Sequence, residues 1–429
     1  MGKVFEASLS IAEAVRLSRV KVIPMYPITP QTHIVEELAK MIDDGEFDAE
    51  VIHVESEHSA LSAVMGSVAA GARSFTATSS QGFALMFEML PIISGNRLPC
   101  VMAVANRALS AVMGSVAAGA RSFTATSSQG FALMFEMLPI ISGNRLPCVM
   151  AVANRALSAP INIWNDHSDS VSARDQGWIQ LWVESSQEAL DTTIQAFKIG
   201  EQEEVQLPVM VNIDGFTLSH VFEPVELPSQ KEVDDFLPEF KPLNILDPSE
   251  PKTFGPIAFP NSYMEFRKDL HEALLESLKV VEKTNKEFAE KFSRSYGNGL
   301  LEAYKIEDAE FAIIGMGTLC GTARSVVDKL RKKKIKAGLI RVRCLRPFPK
   351  ESLLKIAKGL KAIAVIDRHE SYGFEGPLFT DVRSAFFDSK SKPFIAGFIA
   401  GLGGRDITEK HLEKALQNAV QKKPGEWLL

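Results

Sequence analysis

The chain has 429 residues, 46% hydrophobic and 23% charged, which is enough apolar sequence for a large core spread over two or three domains. A net charge of −6 excludes a basic surface for nucleic acid, and charges interrupt every apolar stretch well short of the roughly 18 residues that a membrane span needs. The opening MGKVFEASLSIAEA carries Glu6 and Glu13 and no apolar core, so it does not read as a signal peptide, and a cytoplasmic protein is expected.

The first part alternates strands and helices. Val20–Met25 reads as a strand ending in Tyr26-Pro27-Ile28-Thr29-Pro30, and Thr32–Met41 as a helix. Glu50–Val54 reads as a short strand, after which Ser56 caps a helix running to about Ala70. Ser74–Thr78 then reads as a strand, Gln81–Ile93 as a helix and Pro99–Ala105 as a strand. Further on, Ser186–Glu201 reads as a helix and Pro208–Ile213 as a strand. Strands separated by helices imply a mostly parallel sheet covered on both faces, an α/β fold.

Residues 60–107 and 108–155 are identical letter for letter, a 48-residue unit in tandem. A repeat architecture needs about three units and atypical ends, and an old duplication drifts on its solvent faces. The word Ala-Leu-Ser-Ala both opens the first copy and comes directly after the second, at Ala156–Ala159, as slippage or misassembly would leave it. The repeat therefore reads as a recent duplication or a sequence-assembly error rather than a functional insert. Cys100 and Cys148 are the same residue counted twice. The remaining scatter, with no C-x-x-C, argues against an iron–sulfur or zinc site within this chain.

Eight of the 22 prolines fall between Pro224 and Pro260, a density that forbids regular elements and marks a linker or wrapping arm. Phe266, Leu270, Ala273, Leu274, Leu278 and Val281 then repeat at helical steps. A second α/β unit comes next. Phe311–Gly315 is a strand, Gly321–Arg331 a helix, and Ala337–Val342 and Ala362–Asp367 are strands. The expected organisation is a domain over 1–223, a proline-rich linker over 224–261 and a second α/β domain over 262–429.

In open parallel sheets ligands bind beyond the carboxyl ends of the strands. Three segments lie there. Two prolines stiffen the loop that holds Thr29, whose hydroxyl both donates and accepts, although the segment also reads as a simple turn. Val54-Glu55-Ser56-Glu57 sets two carboxylates at a strand-to-helix junction, where an ordinary helix cap would look the same. Arg155 suits a carboxylate, gripped by two parallel hydrogen bonds. Asn165-Asp166-His167-Ser168-Asp169 could suggest metal ligands, but loop hydrogen bonding is the simpler role. Gly315-Met316-Gly317 and Gly401-Leu402-Gly403-Gly404 read as tight turns.

Taken together, YPITPQT (26–32), VESEHSALSAV (54–64), GARSFTATSSQG (71–82), ANRALSAPINIWNDHSD (153–169), LPVMVNIDGFTLSH (207–220), YMEFR (263–267), RVRCLRPFP (341–349) and FIAGLGGRDIT (398–408) resemble the alpha subunits of the pyruvate:ferredoxin oxidoreductase family, the thiamine-diphosphate-dependent 2-oxoacid:ferredoxin oxidoreductases. The resemblance spans essentially the whole chain. It departs from the family at the repeat and in lacking a Gly-Asn before the first strand.

It implies a transketolase-like pyrimidine-binding domain succeeded by a transketolase C-terminal-like domain. It also implies oxidative decarboxylation of pyruvate, with coenzyme A collecting the acyl group and ferredoxin the electrons. Glu57 matches the glutamate that hydrogen-bonds N1′ of the aminopyrimidine, with Tyr26 and Pro27 beside the cofactor, and Thr29 and Arg155 match the positions that hold the substrate carboxylate. The chain contains no Gly-Asp-Gly followed by Asn-Asn for magnesium diphosphate and no cluster cysteines. The resemblance therefore assigns Mg2+ with the diphosphate to a beta subunit and the [4Fe-4S] clusters to ferredoxin-like gamma and delta subunits, and implies that this chain alone is inactive.

Glu57 runs into the first copy and Asn165-Asp166-His167 runs out of the second. Arg155 rather than Arg107 is thus expected at the carboxylate site, with 48 surplus residues bulging out or displacing a neighbour. The competing readings are a branched-chain 2-oxoacid:ferredoxin oxidoreductase alpha subunit, a beta-type component of a 2-oxoacid dehydrogenase, a non-catalytic scaffold, and a paralogue disabled by the duplication.

Overall fold

The computed structural model describes residues 12, 13, 15–26, 32–79, 86, 89, 101–105, 108–158, 160–243, 245, 246, 249, 254, 255 and 257–429. Pro27 and Thr29, most of the helix expected over Gln81–Ile93, and Arg107 lie outside them. Met1–Ala108 and Leu109–Leu429 form two compact units, so the chain divides almost at the junction of the two copies.

In the first unit, β1 (Val22–Met25) is followed by α1 (Thr32–Asp43), β2 (Glu50–His53), α2 (Glu57–Ala69), β3 (Phe75–Ser79) and β4 (Val101–Ala105). β1 pairs in parallel with β2, and a parallel bridge from Val22 to Ser74 sets β1 beside the start of β3, which pairs in parallel with β4. Thr76 Oγ1 donates to Pro24 O at 2.8 Å and ties the two strands from the side. Ile23, Met25, Val35 and Leu38 close over Phe75 and Ala77.

The second unit opens with α3 (Ala108–Ala117), β5 (Phe123–Thr126), α4 (Ser128–Met134), α5 (Leu138–Gly143) and β6 (Val149–Asn154). Next come α6 (Ser168–Ser172), β7 (Ile179–Trp182), α7 (Ser186–Gly200), β8 (Val209–Asp214), α8 (Gln230–Phe236) and the long α9 (Tyr263–Phe292). The chain then runs through β9 (Leu301–Tyr304), β10 (Phe311–Gly315), α10 (Leu319–Lys332), β11 (Ala337–Val342), β12 (Cys344–Arg346), α11 (Lys350–Ile356), β13 (Ala362–Asp367), α12 (Pro377–Phe386), β14 (Phe394–Ile399) and α13 (Glu409–Val420). One sheet has the order β12-β7-β8-β6-β5 and the other β14-β13-β10-β11-β9. In each a single antiparallel strand, β12 or β9, joins an otherwise parallel set. The RVRCLRPFP segment contributes β12 to the first sheet, and its Arg341 and Arg343 grip the buried Glu188 at 2.5 and 2.6 Å.

Where both copies are described, they take the same local structure. β3 pairs with β4 from Phe75↔Val101, and β5 with β6 from Phe123↔Val149, the same register displaced by one repeat. Gly71 and Gly119 both turn at φ +90, and a Ser67–Ser74 hydroxyl pair recurs as Ser115–Ser122. Their surroundings differ. β3 has β1 and α1 over it, whereas β5 ends its sheet among the described residues. Phe75 is accordingly 2% exposed and Phe123 49%, and Ala77 is buried where Ala125 is exposed. Among the described residues the first copy keeps the partners that precede the repeat, and the second keeps those that come after it.

In the second copy a 3-10 turn (Phe135–Met137) separates α4 from α5, and Pro139 stands in the first turn of α5, where its missing N–H costs no helical hydrogen bond. One expectation is corrected. The proline-rich stretch is not free of regular structure. α8 forms between Pro228 and Pro238 because Ser229 and Glu232 build a capping box.

Identical residues in unlike surroundings make a direct comparison. Phe75→Ala should destabilise its unit by about 3–5 kcal/mol, as buried Phe truncations do, whereas Phe123→Ala should cost well under half of that. Parallel denaturant titrations of the two variants would show it, and equal losses would contradict the structure.

Candidate functional site

In the first unit the ends of β1 and β2 lie side by side, joined by Val54 N–H to Met25 O at 3.3 Å. Tyr26 leaves one end, 36% exposed, and Glu57 begins α2 from the other. Ser56 caps α2 by accepting the Ser59 N–H at 3.2 Å, as expected of the cap. The two carboxylates differ sharply. Glu55 is exposed, accepts the Ser59 hydroxyl at 2.5 Å and is held below its ordinary pKa by that bond. Glu57 is 7% exposed, and its carboxylate has no hydrogen-bond partner among the described residues. A buried carboxylate with no protein partner is costly to keep, and its place at a helix N-terminus reduces that cost. Thr29 and Pro27, expected nearby, lie outside the described residues.

In the second unit Arg155 comes directly after β6, as expected, at the carboxyl edge of a parallel sheet. Its Nε is buried without a hydrogen-bond partner among the described residues. The turn carrying it is fixed by Asp169, which is fully buried at the start of α6. Asp169 Oδ2 accepts the N–H groups of Arg155 and Ser128, both at 3.0 Å. Its Oδ1 accepts Asn154 Nδ2 at 2.9 Å and the Ser170 N–H at 2.7 Å. Burial raises the Asp169 pKa, opposed by those four bonds. Ser128 sits at φ +47, a left-handed conformation disfavoured for any residue with a side chain, and its hydroxyl donates to Ala156 O at 2.6 Å. The turns after β5 and β6 are thus tied to each other and to one carboxylate.

The rest of the Arg155 loop is clamped to the second sheet. Asn162 Nδ2 donates to Gly403 O at 3.1 Å, Gly403 N–H to Asp166 Oδ2 at 3.2 Å and Gly404 N–H to Asn165 O at 2.6 Å. A Cβ on Gly404 would collide with Trp164 Cβ, so the glycine run expected to be a simple turn is also a close contact surface. His167 Nε2 meets Asp214 Oδ1 at 2.8 Å, and Asp214 Oδ2 accepts Arg368 Nη1 and the Thr318 N–H, each at 2.9 Å. Burial alone would raise the Asp214 pKa, but Arg368 and His167 overcome it and hold the carboxylate well below its ordinary range. The Asn-Asp-His-Ser-Asp run is thereby divided among three hydrogen-bond networks. Both polar side-chain atoms of Asn165, and His167 Nδ1, stay buried and without partners among the described residues.

Sequence reasoning placed Glu57 and Arg155 at strand ends, and the structure puts them there, in different units. It read Asp169 as a loop hydrogen-bonding residue, which is its role here, and it missed Asp214 and Arg368. Asp169 had a faint signal, an acidic residue in an otherwise polar loop. Asp214 and Arg368 had none, since their pairing spans 154 positions.

Comparison with known proteins gives the same division. The sequence model described as "Pyruvate flavodoxin/ferredoxin oxidoreductase, thiamine diP-bdg" matches twice, over residues 13–113 and 108–286. "Pyruvate:ferredoxin oxidoreductase core domain II" matches residues 309–412. Pyruvate synthase subunit PorA of Methanocaldococcus jannaschii is 46% identical over 98% of this chain and 95% of its own length. That of Methanothermobacter thermautotrophicus is 44% identical over 97% and 94%. Ketoisovalerate oxidoreductase subunit VorA of Pyrococcus horikoshii is 40% identical over 98% and 94%.

Asp214 sets an acid limit on the loop. A lowered carboxylate pKa contributes stability that is present above the unfolded value of about 3.9 and is lost as pH falls through the folded value. Arg368→Met removes the main opposing charge, and burial then raises the Asp214 pKa. The variant should lose about 3–5 kcal/mol at neutral pH and unfold at a higher pH than the parent on acid titration. An unchanged acid midpoint would contradict this assignment.

Proposed function

Because the chain belongs to the pyruvate:ferredoxin oxidoreductase family, we propose that it is the alpha subunit of a multi-subunit pyruvate synthase that oxidatively decarboxylates pyruvate with coenzyme A to acetyl-CoA and CO2, reducing ferredoxin. The observation that carries this reading is Glu57, a buried carboxylate with no hydrogen-bond partner among the described residues, at the carboxyl edge of a parallel sheet and the start of a helix. That environment fits the aminopyrimidine of thiamine diphosphate, which needs one buried acid to share a proton.

When bound, the cofactor supplies a carbon nucleophile for the 2-oxo carbon and a sink for the electron pair left by CO2. Glu57 holds a proton at N1′ of the aminopyrimidine, with Tyr26 and Pro27 beside the ring. Arg155 and Thr29 bind the substrate carboxylate. An arginine there loses its anion when CO2 leaves, so it does not bind the product as it binds the substrate. The partially buried guanidinium, with Nε unpaired, suits that role. Mg2+ with the diphosphate is assigned to a beta subunit, and the [4Fe-4S] clusters that pass electrons to ferredoxin to gamma and delta subunits. The domain limits proposed are 1–223 for pyrimidine binding, 224–261 for the linker and 262–429 for the C-terminal domain. Among the described residues no helix is long and apolar enough to cross a membrane, and a cytoplasmic location is proposed.

The similarity to a ketoisovalerate oxidoreductase subunit keeps branched-chain 2-oxo acids as the second substrate class. Competition between pyruvate and 3-methyl-2-oxobutanoate in one assay separates the two.

In the assembled complex, Glu57→Gln should lower coenzyme A-dependent viologen reduction by at least about 100-fold. Unchanged turnover would favour a scaffold role. Arg155→Ala should raise the KM for pyruvate while Arg107→Ala leaves it alone. The reverse pattern would place the first copy, not the second, at the substrate.

A further inference from the structure

Asp169 is a carboxylate kept in an expensive place. It is fully buried, no arginine, lysine or histidine among the described residues pairs with it, and four N–H groups satisfy it instead. Burying an anion without a counter-ion is tolerated where its hydrogen bonds fix something that must not move. Here they fix the backbone of Arg155 and, through Ser128, the neighbouring turn. Ser128 Oγ returns a bond to Ala156 O, so Arg155 is held on both sides, by its own N–H and by the carbonyl of the next residue. Its guanidinium Nε remains buried and unpaired.

We propose that Asp169 is the positioning residue that aims Arg155 at the substrate carboxylate, and that it is the reason only the second copy of the repeat can supply that arginine. This rests on the reading of Arg155 as the carboxylate-binding group and goes beyond it.

Asp169 stands fourteen residues after Arg155, outside the duplicated unit. The residue fourteen after Arg107 is Arg121, a cation, which pairs with Glu201 at 2.6 and 2.7 Å and donates to Pro238 O at 2.6 Å. Two arginines with identical preceding sequence thus have opposite charges at the fourteenth position beyond them, and at Arg155 that residue is the acceptor that shapes its turn. Asparagine cannot replace that acceptor. Whichever way the amide is turned, its NH2 would face two of the N–H groups that the carboxylate accepts.

The test uses the assembled complex with Asp169→Asn, Arg155→Ala and the double variant, measured for pyruvate KM, coenzyme A KM and kcat. Asp169→Asn should raise the pyruvate KM about 10- to 100-fold, as a misplaced binding group does, with the coenzyme A KM and saturated kcat little changed. In the Arg155→Ala background it should add nothing, because the group it aims is gone. A purely structural role would instead lower kcat, weaken coenzyme A and multiply with Arg155→Ala, and any of these overturns the proposal. If Arg155→Ala itself leaves the pyruvate KM unchanged, the reading of Arg155 fails, and the proposal with it. Should Asp169→Asn fail to assemble, Ser128→Ala, which removes the hydroxyl's bonds to Ala156 O and Gln129 Oε1 and leaves the Asp169 carboxylate in place, is the second variant and should show the same non-additive rise in KM. Additive or absent effects there count against the proposal equally.

Discussion

A strand in a parallel sheet is completed by its neighbours on either side, and those neighbours come from outside the strand's own sequence. This chain offers a direct demonstration. Its 48-residue unit occurs twice, forms the same strand pair in the same register both times, and yet buries Phe75 while leaving Phe123 half exposed. Local sequence determines helix, turn and strand; β1 and α1, present once, determine which copy has a finished core. The rest of the architecture depends on that single supply of flanking partners. The first copy closes a unit with the elements N-terminal to it, and the second is built into the β12-β7-β8-β6-β5 sheet with elements C-terminal to it.

The same logic reaches the chemistry. Glu57 precedes the repeat and belongs to the first copy's helix, whereas Asp169, Asp214 and Arg368 lie beyond the repeat and serve the second copy's strand ends. Arg107 and Arg155 are alike in the residues that precede them and in the Ala-Leu-Ser-Ala that comes next, and unlike from Val112 and Pro160 onward. The turn and loop that carry Arg155 are fixed by a buried carboxylate, a left-handed serine and a glycine run beyond β14.

The legible parts of the fold were those with local causes. The alternation of strands and helices, the Ser56 cap, the long α9 and the placement of Glu57 and Arg155 at strand ends all come from periodicity and from residue types at fixed short spacing. One local signal was outweighed by an equally local one: the Ser229–Glu232 box makes a helix among prolines. Pairings across the chain could not be read. β12 crosses to pair with β7, and Gly403 meets Asp166 from 237 positions away. Nothing in either segment announces the other. Of the two carboxylates in Glu55-Ser56-Glu57, the resemblance chose Glu57. The structure supplies a physical difference between them in burial, which spacing alone does not contain.

One sequence occupies two environments in this molecule, and hydrogen exchange reads the difference directly. The peptide VMAVAN occurs at 101–106 and again at 149–154, so both copies give fragments of a single mass. β6 pairs on both sides, with β5 and β8, whereas β4 pairs with β3 alone among the described residues. Exchange of the intact chain should therefore split that peptide into two isotope envelopes of equal intensity, one slow and one fast. A single envelope at all exchange times would contradict the account.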